Sequence, residues 1–172
     1  MNLRTKIPLL ATVLCLLPGV AAPGSFQDGE SVLDAGIDRE DLGTATLSKT
    51  GPLSVFASVE EAWERADADA LVELLDERDR VTISFIHGGG RGGSFNRDQA
   101  YFLLHDAFRF SRVERFEFRR YWNLGDDGRS PYAVAAREIV TDSGLVREDR
   151  VYISLRPGGG SWVVGEIRSV EP

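Results

Sequence analysis

The sequence predicts an α+β domain with its helices first and a four-stranded antiparallel meander after them. Apolar residues recur at spacings of three and four between Ser54 and Glu77, and a second such stripe follows Asn96. Four β-rich segments, at roughly 112–124, 132–141, 145–156 and 161–170, are separated by turn-forming runs of Gly and Asp. Strands joined through tight turns run antiparallel, and helices grouped ahead of such a meander give an α+β fold, not a doubly wound parallel sheet.

Each element has its own signal. Phe56, Val59, Ala62-Trp63, Ala66, Ala70-Leu71 and Leu74-Leu75 form one buried helical stripe. Ser58 and Glu61 stand in capping-box relation, so the helix is expected to start at Ser54 or Ser58. The Ala66-Asp67-Ala68-Asp69 stretch interrupts the spacing, which allows either one helix or a helix pair. Val81, Ile83, Phe85 and His87 alternate along one face, as in a half-buried strand. After a Gly-rich loop, Asn96 with Gln99 three residues on opens a second helix, whose apolar face is Ala100, Leu103-Leu104 and Ala107-Phe108. Gly125-Asp126-Asp127-Gly128, Asp142-Ser143-Gly144 and Pro157-Gly158-Gly159-Gly160 then divide the four strands of the meander.

Two segments precede this domain. Residues 1–22 carry Arg4 and Lys6, an apolar run from Ile7 to Leu17, then Pro18-Gly19 and the small residues Ala21 and Ala22. That is the layout of a secretory signal peptide cut near residues 21–24, and the run is too short to span a bilayer. Cys15 follows Leu14 inside the apolar run, which does not fit a lipoprotein cleavage site. Residues 23–52 are acidic and polar, with Gly at 29, 36, 43 and 51, and read as a flexible linker; residues 53–172 form the domain. The expected address is secreted or periplasmic.

Composition narrows the chemistry. The 172 residues include 20 Lys+Arg, 27 Asp+Glu, two His and one Cys, for a net charge of −7. Cleavage would remove Arg4, Lys6 and Cys15, leaving 18 basic against 27 acidic residues, a net of −9, and no thiol. Thiol catalysis, disulfides and Cys-ligated metals are thereby excluded from the mature chain. The acidic balance argues against nucleic acid, because five Arg between 109 and 120 are interrupted by Glu114 and Glu117. Nothing in the sequence calls for a metal or a cofactor, and the mature chain has no membrane span.

The order helix, strand, helix, four-strand meander, together with the phrase Ala62-Trp63-Glu64-Arg65-Ala66-Asp67-Ala68-Asp69-Ala70-Leu71-Val72-Glu73-Leu74-Leu75, resembles the NTF2-like (cystatin-like, cone-shaped) superfamily. Its members commonly end a first helix on a D-x-x-x-L phrase, here Asp67 to Leu71. In layout the chain is most similar to compact exported bacterial domains of unknown function of the DUF4783 type. The resemblance covers roughly Ser54 to Val170 and implies a strongly bent sheet wrapped around helices, with a conical pocket used for small molecules or for dimerisation. The superfamily contains isomerases, cyclases and dehydratases beside inert binding modules, so the fold does not choose between them.

Several constellations carry potential chemistry. Gly88, Gly90 and Gly93 satisfy G-x-G-x-x-G between a strand and a helix, but a dinucleotide site needs a parallel βαβ unit and the meander is antiparallel. The segment reads as a loop, with Arg91 as a weak anion-site candidate. His87, at the end of its strand, is the candidate general base. On the last four strands, strict alternation places Arg120 and Trp122 on one face, Glu138 on the next, then Arg150 and Tyr152, then Trp162 and Glu166. If those faces are concave, Arg120, Glu138, Arg150 and Glu166 form a network lined by Trp122, Tyr152 and Trp162; if they are convex, the same charges pair at the surface. A one-residue slip exchanges the two outcomes.

These readings give a non-catalytic exported module that binds a small molecule or a protein partner on the concave side of its sheet, with a homodimer through the sheet as a further expectation. The alternative is a small lyase- or isomerase-type enzyme, with His87 as base and Arg120 holding an anionic substrate.

Overall fold

A computed structural model describes residues 36–42, 51–86, 92–125 and 128–172. The expected signal peptide, residues 23–35 and 43–50 of the linker, His87 to Arg91, and the Asp126-Asp127 corner lie outside the described residues. In chain order the elements are β1 (Ile37–Asp38), a 3-10 turn (Arg39–Leu42), α1 (Pro52–Glu64), α2 (Ala68–Glu73), β2 (Val81–Ser84), β3 (Gly93–Phe95), α3 (Arg97–Arg109), β4 (Ser111–Trp122), β5 (Tyr132–Thr141), β6 (Val146–Gly158) and β7 (Ser161–Val170).

The first helix begins earlier than either serine. Pro52, with φ already set for a helix and no N–H to orphan, opens α1 behind Gly51, and Ser54 and Ser58 instead donate their hydroxyls to the carbonyls of Gly51 and Ser54. The stripe does divide into two helices. Ala66 sits in the left-handed region at φ 52°, its N–H reaches the Trp63 carbonyl at 3.0 Å, and the Asp67 N–H reaches the Ala62 carbonyl at 2.9 Å. This pair of bonds is a Schellman end, formed here on alanine instead of glycine. Asp67 then caps α2 by accepting the Ala70 N–H at 2.9 Å. The capping box of α3 forms as its spacing predicts, with Asn96 Oδ1 accepting the Gln99 N–H and Gln99 Oε1 accepting the Asn96 N–H.

The architecture is α+β, with a curved, unclosed sheet around the helices. The described residues form more strands than the sequence suggests: seven, in the order β1-β4-β5-β6-β7-β2-β3. The meander β4 to β7 is antiparallel throughout, while β2 lies parallel to β7 and antiparallel to β3. β1 covers the outer edge of β4 through Ile37 opposite Tyr121 and Asp38 opposite Arg120. Three further contacts hold this strap: Arg39 pairs with Glu60, Leu42 packs on the core, and Gly36 lies so close to Trp122 that an added Cβ would stand 2.5 Å from its ring.

One face of the sheet packs on the helices. Phe56, Val59 and Trp63 of α1 and Leu104 of α3 meet Phe116, Phe118, Val151, Ile153, Leu155, Val164 and Ile167 of the strands, all essentially inaccessible to water. Trp63 stacks on Phe116 at 4.6 Å, and Phe56 meets Phe118 edge-on at 5.3 Å. Fully buried Ala133 and Ala135, beside Tyr121 and Phe118 in the register, supply the small residues that let these rings approach the sheet.

Three register shifts, at Glu114 and Arg119 in β4 and at Gly165 in β7, decide which side chains face inward. Phe118 opposes Ala135 but Arg120 opposes Val134, so Arg119 is an extra residue and the alternation inverts after it. Phe116, Phe118 and Tyr121 are therefore the buried residues of β4, whereas Arg120 and Trp122 face out. Gly165 is the corresponding extra residue in β7, between Val164 and Glu166.

Candidate functional site

The residues singled out by alternation are brought together, but on the face turned away from the helices. Cross-strand partners align Trp122 with Tyr132, Tyr132 with Ser154 and Ser154 with Glu166; the next row aligns Arg120 with Val134, Tyr152 and Arg168. Glu138 and Arg150 belong to the same outer face. The expected concave network of Arg120, Glu138, Arg150 and Glu166 is thus corrected to an outer-surface lattice. Strict alternation failed at the Arg119 and Gly165 bulges, and on β5 and β6 the inward parity is the one carrying Ala133, Ala135, Val151 and Ile153. Trp162 differs: it lies on the core side of the Gly165 bulge and packs partly against the core. His87 lies outside the described residues.

Local pairs hold part of this outer lattice. Arg120 makes a bidentate pair with Asp38 at 2.7 and 3.2 Å, which holds the Asp38 carboxyl below its ordinary range. Glu138 approaches Arg115 at 3.8 Å, Trp122 stacks on Tyr132 at 4.6 Å, and the Arg168 guanidinium lies 5.3 Å from the Tyr152 ring centre. Burial raises the pKa of Tyr132, and Tyr121 beside the strap is pushed up to about 12 by burial, then by Glu60.

The helix-bearing face holds the polar cluster that alternation overlooked. Arg137 and Asp149 stand directly opposite on β5 and β6, and their side chains are only 5% and 1% exposed. Arg137 Nε donates to Asp149 Oδ1 at 2.9 Å, and Nη2 donates to Oδ2 at 2.5 Å. The guanidinium lies 5.8 Å from the Trp63 ring centre and 5.5 Å from that of Phe85. Ser169, also buried, accepts the Ile86 N–H at 2.8 Å. The indole Nε1 of Trp63, which is 0% exposed, has no hydrogen-bond partner among the described residues. A signal for the ion pair was present in the sequence: a hairpin centred on Ser143 of the Asp142-Ser143-Gly144 turn sets Arg137 opposite Asp149.

This cluster lies mid-strand on β4 and β5, where Phe116 opposes Arg137, and close to the ends of β2 and β7, where Ile86 meets Ser169. A concavity of about 440 Å³ lies open along the β6–β7 hairpin from Pro157 to Trp162. Among the described residues, no group of three His, Cys, Asp or Glu is placed to hold a metal ion, and no helix is long and apolar enough to cross a membrane.

No protein-family model matches the chain, and no curated protein matches it. Solved structures do. A DUF4783 family protein from Bacteroides ovatus superposes with a TM-score of 0.53 at 19% identity, covering 67% of this chain and 94% of its own. Its counterpart from Bacteroides uniformis gives 0.55 at 15% identity, over 67% and 95%. A ketosteroid isomerase-like protein from Erwinia carotovora atroseptica gives 0.53 at 16% identity, over 70% and 94%. The chain accordingly has an NTF2-like fold, related to that of the DUF4783 structures.

Proposed function

We propose that the protein is an exported, non-catalytic NTF2-like module that binds a small molecule on the helix-bearing side of its sheet, at the position occupied by Arg137 and Asp149. One observation carries the reading: a desolvated ion pair flanked by aromatic rings, beside a buried indole N–H that has no acceptor among the described residues. Two apolar residues of matching volume would fill such a position at no loss of stability, so the pair is better explained by recognition than by folding. Export rests on the leader pattern of residues 1–22.

Binding of an apolar reporter such as Nile red tests the site. Phe85, partly buried and 5.5 Å from the Arg137 guanidinium, is the position to change. Saturable emission with the unaltered chain, weakened in Phe85→Ser, is the expected result; no saturable emission with the unaltered chain would refute the reading.

A second reading places a protein partner, or a second copy of the chain, on the outer lattice. It is favoured by the mixture of Arg120, Arg150 and Arg168 with Glu138 and Glu166 on one face, charges that a two-fold contact can pair. Sedimentation of Arg150→Glu and Arg168→Glu variants tests it, association being lost if this face is used. The enzymatic alternative draws no support from Arg120, which is tied to Asp38 on the outer face.

A further inference from the structure

The outer face of the sheet holds a second group of side chains, separate from the Arg137–Asp149 cluster and assembled from direct cross-strand neighbours. Tyr132, Ser154, Glu166 and Thr82 follow one another across β5, β6, β7 and β2, and Tyr152 opposes Arg168 in the adjacent row. Directly opposed residues point to the same face, so all of these project from the side away from the helices. At the head of the first row the rings of Trp122 and Tyr132 stack within 5° of parallel at 4.6 Å, about one strand spacing. Rings so arranged stand on edge above the sheet. Gly36 backs Trp122 on the β1 side, where an added Cβ would meet its ring at 2.5 Å. The ring face left over is that of Tyr132, and it turns toward β6. Ser154, the smallest side chain of the row, forms a floor there, and Glu166 stands beyond it on β7, two strand spacings or roughly 10 Å from Tyr132 along the backbone. Tyr152 closes one end of this slot, near enough to add to the rise in the Tyr132 pKa that burial begins.

The polar groups of the slot are uncommitted. Among the described residues the Ser154 and Thr82 hydroxyls and the Glu166 carboxylate make no side-chain hydrogen bond or ion pair, although Ser154 and Glu166 are partly buried. Arg168 stands two residues from Glu166 on the same face, yet its guanidinium turns instead over the Tyr152 ring, 5.3 Å from the centre. Other acids of this face do find arginine: Asp38 holds Arg120, and Glu138 approaches Arg115. The slot thus offers a carboxylate that only accepts, a guanidinium that only donates, and hydroxyls that do both. A ligand that answers all three needs closely spaced groups that themselves donate and accept, together with a flat apolar face for Tyr132. The hydroxyls and C–H face of a pyranose ring have both properties. A zwitterion pairs with Glu166 and Arg168, but ion pairs this open to water contribute little.

We infer that the slot over Ser154 binds a saccharide, taking one pyranose unit with its C–H face on Tyr132 and its hydroxyls shared among Ser154, Glu166 and Arg168. This site lies on the opposite side of the sheet from the small-molecule site proposed above and does not depend on it, so either one stands if the other fails.

Tryptophan emission, to which Trp122 contributes from behind Tyr132, is the readout. The full chain is titrated with the methyl glycosides of glucose, galactose, mannose and xylose, and with phenylalanine as a zwitterion that carries a ring. A saturable response to at least one glycoside is expected. Glu166→Gln should weaken that glycoside about tenfold, the ratio that one hydrogen bond to a charged group supplies. Ser154→Val, which raises the floor with a residue suited to a strand, should abolish the response. Arg112→Ser, on the same face at the far end of β4, should leave it unchanged. Circular dichroism of each variant controls for folding. Glycoside binding indifferent to both slot variants overturns the site, and phenylalanine binding more tightly than every glycoside overturns the ligand class. A dimer that Glu166→Gln dissociates in sedimentation, with no glycoside response, assigns the face to a second copy of the chain. No response to any of the four glycosides overturns the inference outright.

Discussion

Glu60 stands in for a neighbouring strand at Phe118. Its Oε2 accepts the Phe118 N–H at 3.3 Å, and the same carboxylate holds Arg39 Nη1 at 2.8 and 2.9 Å, while that nitrogen also reaches the Phe118 carbonyl at 3.5 Å. Just beyond the two residue pairs of β1, one carboxylate and one guanidinium thus satisfy an N–H and a C=O of the sheet edge. An edge closed this way is a poor template for another chain.

Glu60→Ala should therefore cost about 1–2 kcal/mol, since it strips a partly buried backbone donor and an arginine of their acceptor at once. Urea unfolding checks this against Glu61→Ala. Glu61 pairs with Arg65 where both side chains are more than half exposed, so that change should stay within about 0.5 kcal/mol. Equal losses in the two variants would refute the edge role.

Arg137→Met should destabilise the chain by about 3–5 kcal/mol, because Asp149 would be left charged and desolvated. The double change Arg137→Met, Asp149→Leu should recover most of that loss. A double-mutant cycle by urea unfolding measures the coupling, and a double variant as unstable as the single one would show that packing, not the unpaired charge, sets the cost.

Ala66→Gly should stabilise by about 0.5–1 kcal/mol, since the left-handed conformation that ends α1 is strained for alanine and free for glycine. The melting temperature is the readout, and a decrease would mean that the Ala66 methyl contributes more by packing than it costs in backbone strain.

Much of the fold was legible because its signals are local. The Asn96/Gln99 box, the Gly and Asp turns and the break before Asp67 each depend on a few adjacent residues, and each produced the element it announced. Facing was illegible because bulges are invisible to alternation. One additional residue at Arg119 sends Tyr121 into the core and Trp122 out of it, though both are aromatic and both suit either side. β1 and β3 escaped notice because strands of two and three residues carry no period. Arg137 and Asp149 carry no such local signal, because a charged residue among small apolar neighbours in sequence does not mark a buried position. The rings that flank Arg137, Trp63 and Phe85, come from distant elements.

The strap should respond to acid. Asp38 titrates below the ordinary carboxylate range in the folded chain because it accepts two hydrogen bonds from Arg120, so its contribution is complete above that range and vanishes as pH falls through the lowered value. Trp122, which lies against Gly36, reports the change. Its emission is expected to shift on acidification in the unaltered chain and to have lost that transition in Asp38→Asn; the same transition in both would assign it elsewhere.

Tyr121 should respond to base in the opposite sense. Its hydroxyl titrates at about 12 when folded, against about 10 for an exposed tyrosine, so stability is full below pH 10 and declines as pH rises toward 12. Ultraviolet titration of the phenolate checks this: Tyr121→Phe should remove the latest-titrating tyrosine, and an unchanged curve would contradict the assignment.

The parallel pairing of β2 with β7 has a consequence for the order of assembly. Thr82 finds its partner in Glu166, across α3 and the whole meander, whereas each strand of the meander meets its neighbour across a short turn. Loop closure over that span is the slow step, and local hairpins are the fast ones. The helices can settle on β4 as soon as that strand is in place, but β2 gains its β7 neighbour only after the meander has formed. The native topology thereby puts its longest closure last.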